Sequence, residues 1–440
     1  SHQQDGEGVT AMLRDRLTGR EYTLRARYLV GADGAKSKVV DELGLNIEGH
    51  LARAGTVYVI FKADLSRYVA HRPSILHWIV TPSASFGEIG MGLLRAVRPW
   101  DRWIAGWGFD ISRGEPDLDP ALLLDRIRTL VGDPALEVEI ERTSVWYVNQ
   151  AYATEYSRGR VFCGGDAVHR HPPSSGLGLN TCVQDAFNLA WKLAYVIKGD
   201  AGPGLLDSYS AERAPVGRQI VTRANQSRLD YAPLKAAFRV EGADNPVAAG
   251  IARFKDPGPE GVAARQAVEA ALALKNTEFN AQGVEMNQRY VSRAVMPDPA
   301  AGEEVWRRDP QLHLQPTTRP GAKIPHAWLV DKRGIRVSTL DVTGKGGFSL
   351  VTGLAGGAWS DAVHELDLPY LRAVVIGQPG AADPYCGWQR IRELPEAGAL
   401  LVRPDGYVAW RHAESPAGVA EARELLATAL GAVLDKPLND

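Results

Sequence analysis

The chain contains two predicted strands that each run directly into a glycine-flanked aspartate. The first motif is GADGAKS at residues 31–37, centred on Asp33, and the second is GGDAVH at residues 164–169, centred on Asp166. Glycine lets a ligand approach the backbone closely, because no Cβ intervenes. A carboxylate there accepts hydrogen bonds from ligand hydroxyls, as the acidic residue of dinucleotide-binding folds does. The pattern predicts an α/β ligand-binding unit; for either motif alone, a surface turn with a local Asp hydrogen bond is the alternative.

The segment after the second motif adds a stronger signal. Residues 169–180 (HRHPPSSGLGLN) combine a rigid Pro-Pro turn with a Gly-x-Gly bend and lead into a predicted helix at 181–198. Thr181 and Gln184 have the spacing of a capping box at the start of that helix. A helix N-terminus carries partial positive charge and unpaired N–H donors, so it stabilises an anion docked against it. Reduced flavin, with its negative charge at N1 and O2, is such an anion, and Asp166 would then hold its ribityl chain.

The rest of the chain shows a change of pattern along its length. Residues 55–111 are rich in Val, Ile, Tyr and Trp with turn residues between them, which indicates strands. The predicted strands are 9–14, 21–30, 56–63, 75–81, 87–95, 102–111, 143–150 and 160–163 and, after a proline-rich linker at 297–320, 327–330, 348–352, 371–376, 399–402 and 407–411. The predicted helices are 119–131, 181–198, 205–225 and 416–434.

The composition excludes several classes of protein. The 440 residues are 45% hydrophobic, enough for real cores, and at about 150 residues per domain they predict roughly three domains. Fifty Lys plus Arg against 52 Asp plus Glu leave a net charge of −2, so no nucleic-acid partner is expected. No apolar stretch approaches about 18 residues, so no membrane partner is expected. The three cysteines, Cys163, Cys182 and Cys386, are far apart in sequence and indicate reduced thiols in a cytoplasmic protein.

Other candidate groups have structural interpretations. His169 and His171 lack a third ligand at a zinc-like spacing, so no metal site is predicted. Residues 174–176 (SSG) lack the Gly-x-Ser-x-Gly frame of a nucleophile elbow. Glu212 and Arg213 are predicted to form a local ion pair with a structural role.

Several segments together resemble the single-component FAD-dependent aromatic hydroxylases, in particular the phenol hydroxylase and 2,4-dichlorophenol 6-monooxygenase branch. The likeness covers essentially the whole chain and is strongest over residues 158–230. The segments that carry it are residues 30–37, 164–173 (GGDAVHRHPP), 176–178 (GLG), 184–193 (QDAFNLAWKL), 209–215 (YSAERAP), 325–329 (PHAWL) and 401–407 (LVRPDGY).

The resemblance implies a fold of mixed α/β and α+β class. Residues 1–50 and 151–232 are expected to form the remainder of a Rossmann-like FAD-binding domain. Residues 51–150 and 233–300 are expected to form a mixed β-sheet substrate domain, and residues 301–440 a thioredoxin-like C-terminal domain. FAD is the implied cofactor, NADH or NADPH the implied co-substrate, and a homo-oligomer, dimer or higher, is expected.

The resemblance also assigns site residues. The expected FAD contacts are Asp33, Gly34, Gly165, Asp166, Pro173, Gly176, Leu177, Gly178, Leu179 and Asn180. The backbone of Pro172 is expected beside the isoalloxazine ring. Trp78 and Arg95, on predicted neighbouring strands, are the candidates for contact with the nicotinamide; a core position for Trp78 and a solvated surface charge for Arg95 are the alternatives.

The implied reaction is hydroxylation of a phenol, chlorinated or otherwise substituted, ortho to its hydroxyl through a flavin C4a-hydroperoxide, with NAD(P)H and O2. It requires a dry cavity and an electron-rich ring held by a base. Strands within residues 55–111 are expected to form the floor of that cavity. The base is not identified, because family members carry such residues largely in a segment that this chain lacks. A halogenase or dehydrogenase of the same fold and a non-catalytic remnant that binds flavin or an aromatic ligand are the alternatives.

One expected motif is missing. The family begins with a βαβ unit whose Gly-x-Gly-x-x-Gly turn holds the FAD pyrophosphate, and no such turn occurs here. The chain begins at Ser1 with no initiator Met, in what reads as the middle of a sheet, so we expect that an earlier part is missing.

The chain by itself is therefore expected to bind FAD weakly or not at all, because only the contacts to the flavin ring and ribityl chain are present. Titration of FAD with the isolated chain, followed by flavin fluorescence, measures this affinity. A dissociation constant in the micromolar range or below would contradict the expectation.

Overall fold

The structure, a computed structural model, describes residues 1–83 and 90–438. Its strands are β1 (His2–Gln4), β2 (Val9–Arg14), β3 (Glu21–Ala26), β4 (Leu29–Gly31), β5 (Ile47–Lys62), β6 (Leu76–Ile79), β7 (Gly92–Arg98), β8 (Arg102–Phe109), β9 (Glu139–Ala153), β10 (Ser157–Arg158), β11 (Val161–Cys163), β12 (His169–Arg170), β13 (Trp328–Val330), β14 (Arg336–Ser338), β15 (Phe348–Thr352), β16 (Leu371–Val375), β17 (Ala399–Val402) and β18 (Val408–His412). Its α-helices are α1 (Lys38–Leu43), α2 (Ser66–Val69), α3 (Pro120–Val131), α4 (Gly178–Lys198), α5 (Asp207–Leu229), α6 (Ala232–Ala237), α7 (Pro246–Lys255), α8 (Pro259–Leu274), α9 (Asn276–Phe279), α10 (Gln282–Met286), α11 (Thr339–Val342), α12 (Gly357–Leu366), α13 (Gly387–Ile391) and α14 (Val419–Leu434).

The two Gly-Asp motifs follow strands that pair with each other. Strands β4 and β11 are parallel neighbours, with Val30 opposite Phe162. The carboxyl ends of parallel strands meet at one edge of a sheet, so both turns leave the sheet on the same side. The single strand predicted at 21–30 is wrong: β3 pairs with β2 in a separate antiparallel sheet, and the chain leaves that sheet before β4.

The largest sheet is antiparallel and has the strand order β12-β9-β5-β8-β7-β6. One face packs against α3, where Val57, Phe61, Trp103 and Ile127 are completely buried. Because strand side chains alternate between faces, intervening residues such as Tyr58 point to the other side. Strands β5 and β9 are longer than predicted. The pairing of β5 with β9 shifts in register after His50, so the alternation of apolar and polar residues that marks a strand is interrupted there. The predicted strand 87–95 lies partly outside the described residues, and its remainder belongs to β7.

The C-terminal region builds a four-stranded sheet in the order β16-β15-β17-β18. Strands β15 and β16 are parallel, and the other two pairs are antiparallel. Trp191 and Tyr195 of α4 belong to the same buried cluster as Phe348, Trp359 and Leu430, so this region packs directly on α4. The thioredoxin-like character of the region and the proposed domain boundaries stay predictions. None of the described helices combines the length and apolar character needed to cross a lipid bilayer.

A buried cluster of charges joins the C-terminal region to helices α4 and α5. The Glu212 carboxylate accepts hydrogen bonds from Lys192 Nζ at 2.8 Å and from Arg403 Nη1 at 2.6 Å, and Arg403 Nη2 also contacts Asp405 at 2.6 Å. All these side chains are at least 96% buried. The predicted local pair between Glu212 and Arg213 is wrong, because consecutive helical side chains point in different directions.

Replacing Glu212 by Gln leaves Asp405 as the one carboxylate of this cluster to balance the Lys192 and Arg403 cations in a region shielded from water. Removing one partner of a buried ion pair costs about 3–5 kcal/mol of unfolding free energy. We expect a loss of this size in urea unfolding. The matched change at the exposed Glu269 is expected to alter stability by less than about 0.5 kcal/mol, and equal effects of the two substitutions would contradict the assignment.

Candidate functional site

The first Gly-Asp turn is fixed by its own aspartate. The Asp33 carboxylate accepts hydrogen bonds from Ser37 Oγ at 2.5 Å and from the Lys38 amide at 2.8 Å, at the start of α1. Partial burial alone would raise the pKa of Asp33, but these hydrogen bonds outweigh it and hold the pKa below its ordinary value. Gly34 has φ +81° and open space around it. The carboxylate therefore holds the turn in shape, and the turn itself stays accessible.

The second turn is held by a carboxylate from α4. Gly165 has φ +65°, a conformation that favours glycine, and its amide donates to Asp185 Oδ2 at 3.0 Å. The same carboxylate accepts from His169 Nε2 at 2.8 Å and from Arg213 Nε at 2.7 Å. Burial alone would raise the pKa of Asp185, but the His169 hydrogen bond and the Arg213 guanidinium hold it below its ordinary value. Asp166 lies exposed beside this fixed turn.

The loop after this turn ends in an uncapped helix. Helix α4 begins at Gly178, one turn earlier than predicted, and no side chain caps its first amides. The predicted capping box is wrong: the Thr181 hydroxyl donates to the Leu177 carbonyl at 2.8 Å within the helix, and Gln184 accepts from Arg213 at 3.3 Å. The Leu179 side chain is 77% exposed. The first amides of α4 therefore have no side-chain cap and are available to a negatively charged group.

These features fit an FAD ring and ribityl chain. Both Gly-Asp turns lie at one sheet edge, and a Cβ added at Gly176, which has φ +64°, would meet nothing within 4 Å. Pro173 is exposed on the loop before α4, and Asn180 is exposed in the first turn of α4. Leu177 is the exception among the predicted contacts, because its side chain is buried and only its backbone adjoins the opening. The individual FAD contacts stay predictions.

A cavity of about 350 Å³ separates the loop from the free face of the large sheet. Its loop side consists of residues 172–176, with the Pro172 ring buried and Pro173 exposed. Its sheet side is aromatic and apolar. The principal lining side chains are Tyr58, Leu76, Trp78, Met91, Leu93, Arg95, Ile104, Trp107, Trp146, Val148, Arg228, Glu278 and Phe279. A second groove of about 600 Å³ runs along α5, where Arg218, Arg223 and Gln226 are among its lining residues, and it does not adjoin the loop.

Trp78 and Arg95 lie on neighbouring strands, as predicted. Trp78 faces Leu93 and Leu76 faces Arg95 in the pairing of β6 with β7, and both candidates line the cavity. Their contact with a nicotinamide stays a prediction. Sequence reasoning missed Glu278, which reaches the cavity from the short helix α9. The cue was weak: a Glu-Phe pair just after a long amphipathic helix.

A cluster with metal-ligand chemistry lies beside the second turn. Ligand atoms of Asp166, His169 and Cys182 all lie within 4.8 Å of one another. His169 Nε2 is engaged by Asp185, and burial raises the pKa of the Cys182 thiol to about 11. A thiol that remains protonated at neutral pH is a poor metal ligand, since metals bind the thiolate. The cluster belongs to the turn and supports no metal assignment.

Asp185→Asn tests how the second turn is held. A carboxylate with a depressed native pKa adds stability above its unfolded pKa near about 4, and that stability is lost as pH falls below it. At pH 7 the variant is therefore expected to have an unfolding free energy about 3–5 kcal/mol below that of the unchanged protein. Between pH 7 and 3 the unfolding free energy of the variant is expected to fall by less than that of the unchanged protein. Urea unfolding across this pH range measures both. The exposed Asp361→Asn variant should match the unchanged protein in stability at each pH. An unfolding free energy of Asp185→Asn that falls with pH as much as that of the unchanged protein would contradict the assignment.

Comparison with known proteins agrees with this geometry. Residues 1–224 match the family described as FAD binding domain, and residues 317–437 match the one described as aromatic-ring hydroxylase, C-terminal. The chain is 49% identical to the 2,4-dichlorophenol 6-monooxygenase of Delftia acidovorans, in an alignment covering 93% of this chain and 71% of the relative. It is 45% identical to the phenol 2-monooxygenase of Pseudomonas sp. (strain EST1001), covering 93% and 67%.

Solved structures share the fold over nearly the whole chain. The flavin-dependent monooxygenase PieE, in complex with FAD and substrate, has a TM-score of 0.92 and 42% identity, with coverage of 99% of this chain and 75% of that one. Aklavinone-11 hydroxylase, in a ternary complex with FAD and aklavinone, has a TM-score of 0.76 and 30% identity, with coverage of 99% and 73%. By these similarities in sequence and structure, the chain belongs to the FAD-dependent aromatic-ring hydroxylases.

Proposed function

We propose that this monooxygenase hydroxylates a phenol at the position ortho to its hydroxyl, with NADH or NADPH and O2 as co-substrates. Bound FAD supplies the redox chemistry that passes two electrons from the nicotinamide to O2. The balance is one phenol, one O2, one NAD(P)H and one proton giving one catechol, one NAD(P)⁺ and one water.

The observation that carries the proposal is the position of the aromatic cavity. It adjoins residues 172–176, which continue into the uncapped start of α4, so a ring in the cavity lies beside a flavin docked at that helix end. A volume of about 350 Å³ is at the lower end of the range for small-molecule sites and suits a single substituted ring. Its sheet face is largely apolar, which suits a reaction that requires a dry site.

The names of the relatives support the substrate class. Two relatives at 47–49% identity are described as 2,4-dichlorophenol 6-monooxygenases and one at 45% as a phenol 2-monooxygenase. The proposal specifies a chlorinated or otherwise substituted phenol and no particular pattern of ring substituents. Contact of Trp78 and Arg95 with the nicotinamide, a homo-oligomeric state and a cytoplasmic location also belong to the proposal.

The reaction is tested with the chain in excess FAD, NADH and ¹⁸O2, with phenol or 2,4-dichlorophenol as substrate. We expect one ¹⁸O atom in each catechol formed and NADH consumption that rises when the phenol is added. Toluene, which lacks the hydroxyl, is the matched control and should yield no ring-hydroxylated product. Binding of FAD and phenol with no catechol under any condition would overturn the proposal in favour of a ligand-binding protein without turnover.

A further inference from the structure

Unpaired polar atoms gather at one end of the aromatic cavity. Trp78 Nε1 and Tyr231 Oη are buried and have no hydrogen-bond partner among the residues that the structure describes. The two rings contact each other, with centroids 4.7 Å apart. A buried donor without an acceptor costs about 1–3 kcal/mol, so such atoms mark places where a ligand completes the hydrogen bonding.

A carboxylate lies at the same end. Glu278 is 6% exposed, lines the cavity and forms an ion pair with Lys275 Nζ at 2.5 Å. Lys275, the partner of Glu278, lies over the Tyr231 ring, and the Trp78 ring contacts the same tyrosine. Glu278 and Trp78 therefore both lie next to Tyr231 in the wall of the cavity.

Contacts of Lys275 hold Glu278 in position. Lys275 Nζ donates to the Ser227 carbonyl at 2.7 Å and lies 3.3 Å from the centre of the Tyr231 ring. The Ser227 hydroxyl in turn is 3.0 Å from the Ser175 hydroxyl in the loop of residues 172–176. The carboxylate is thus tied to the loop that borders the cavity. Among the described residues lining the cavity it is the only acidic group.

A phenolic hydroxyl needs one acceptor for its hydrogen and one donor for its lone pair. We propose that Glu278 accepts the hydrogen of the substrate hydroxyl while the Trp78 indole N–H donates to the same oxygen. The pair thereby selects hydroxylated rings and increases electron density on the ring by polarising its O–H bond. This inference rests on the proposed function and assigns Trp78 to the substrate, which leaves Arg95 as the nicotinamide candidate.

The test compares two ligands of the same shape, 4-fluorophenol and 4-fluorotoluene, whose binding to the full chain is followed by ¹⁹F NMR. The unchanged protein is expected to bind the phenol at least about tenfold more tightly, because a hydrogen bond to a charged group is among the stronger ones. Glu278→Gln keeps the shape and removes the charge, and should reduce this ratio to about threefold. Glu285→Gln, an exposed glutamate seven residues away, should leave the ratio unchanged.

The ratio of the two dissociation constants separates recognition from general damage, since a loosened cavity weakens both ligands alike. A tenfold ratio retained by Glu278→Gln would overturn the proposal. If that variant does not fold, Trp78→Phe decides: it keeps the ring contact with Tyr231 and removes the N–H, so an unchanged ratio there also overturns it. Equal binding of both ligands by the unchanged protein would refute this inference alone, whereas binding of neither would refute the proposed function.

Discussion

The site depends on burying charges without leaving any of them unmatched. The Asp185 carboxylate accepts from three donors. Glu212, next to Arg213 on α5, pairs with Arg403 and with Lys192, which lies two turns beyond Asp185 on α4. A single buried ion is costly, whereas paired ions with satisfied hydrogen bonds are tolerated, and separating them is strongly unfavourable. This requirement fixes α4 against α5 and both against the C-terminal region. The amino-terminal end of α4 is consequently held in place while its first amides stay open.

Two surfaces meet at this fixed helix end. The parallel pair β4 and β11 delivers both Gly-Asp turns to one edge, and the large antiparallel sheet presents aromatic side chains across a cavity from residues 172–176. One surface suits the polar edge of a flavin and the other an apolar ring. The chemistry of a hydroxylase follows from the contact between them, because an oxygen atom must pass from the flavin to the ring without meeting water.

Local patterns in the sequence predicted many of the strands and turns. The contacts that depend on residues far apart in the sequence were not predicted. Strand β2, both Gly-Asp turns and the loop before α4 follow from glycine, proline and alternating apolar residues over short windows. The capping box failed because Thr181 lies inside a helix that starts earlier, where Thr hydroxyls bond back to the preceding turn. The partners of Glu212 were missed because Arg403 is 191 residues away. Glu278 was missed for the same reason, since only the folded chain brings α9 to the sheet.

The most direct test of this account is a crystal structure of the protein grown with FAD in large excess, to offset weak binding, and with 4-fluorophenol. We expect the pyrimidine edge of the isoalloxazine within hydrogen-bonding distance of the Leu179 and Asn180 amides. We also expect the fluorophenol ring between residues 172–176 and the aromatic sheet face. A flavin bound away from this helix end, or a phenol bound outside the cavity, would contradict it.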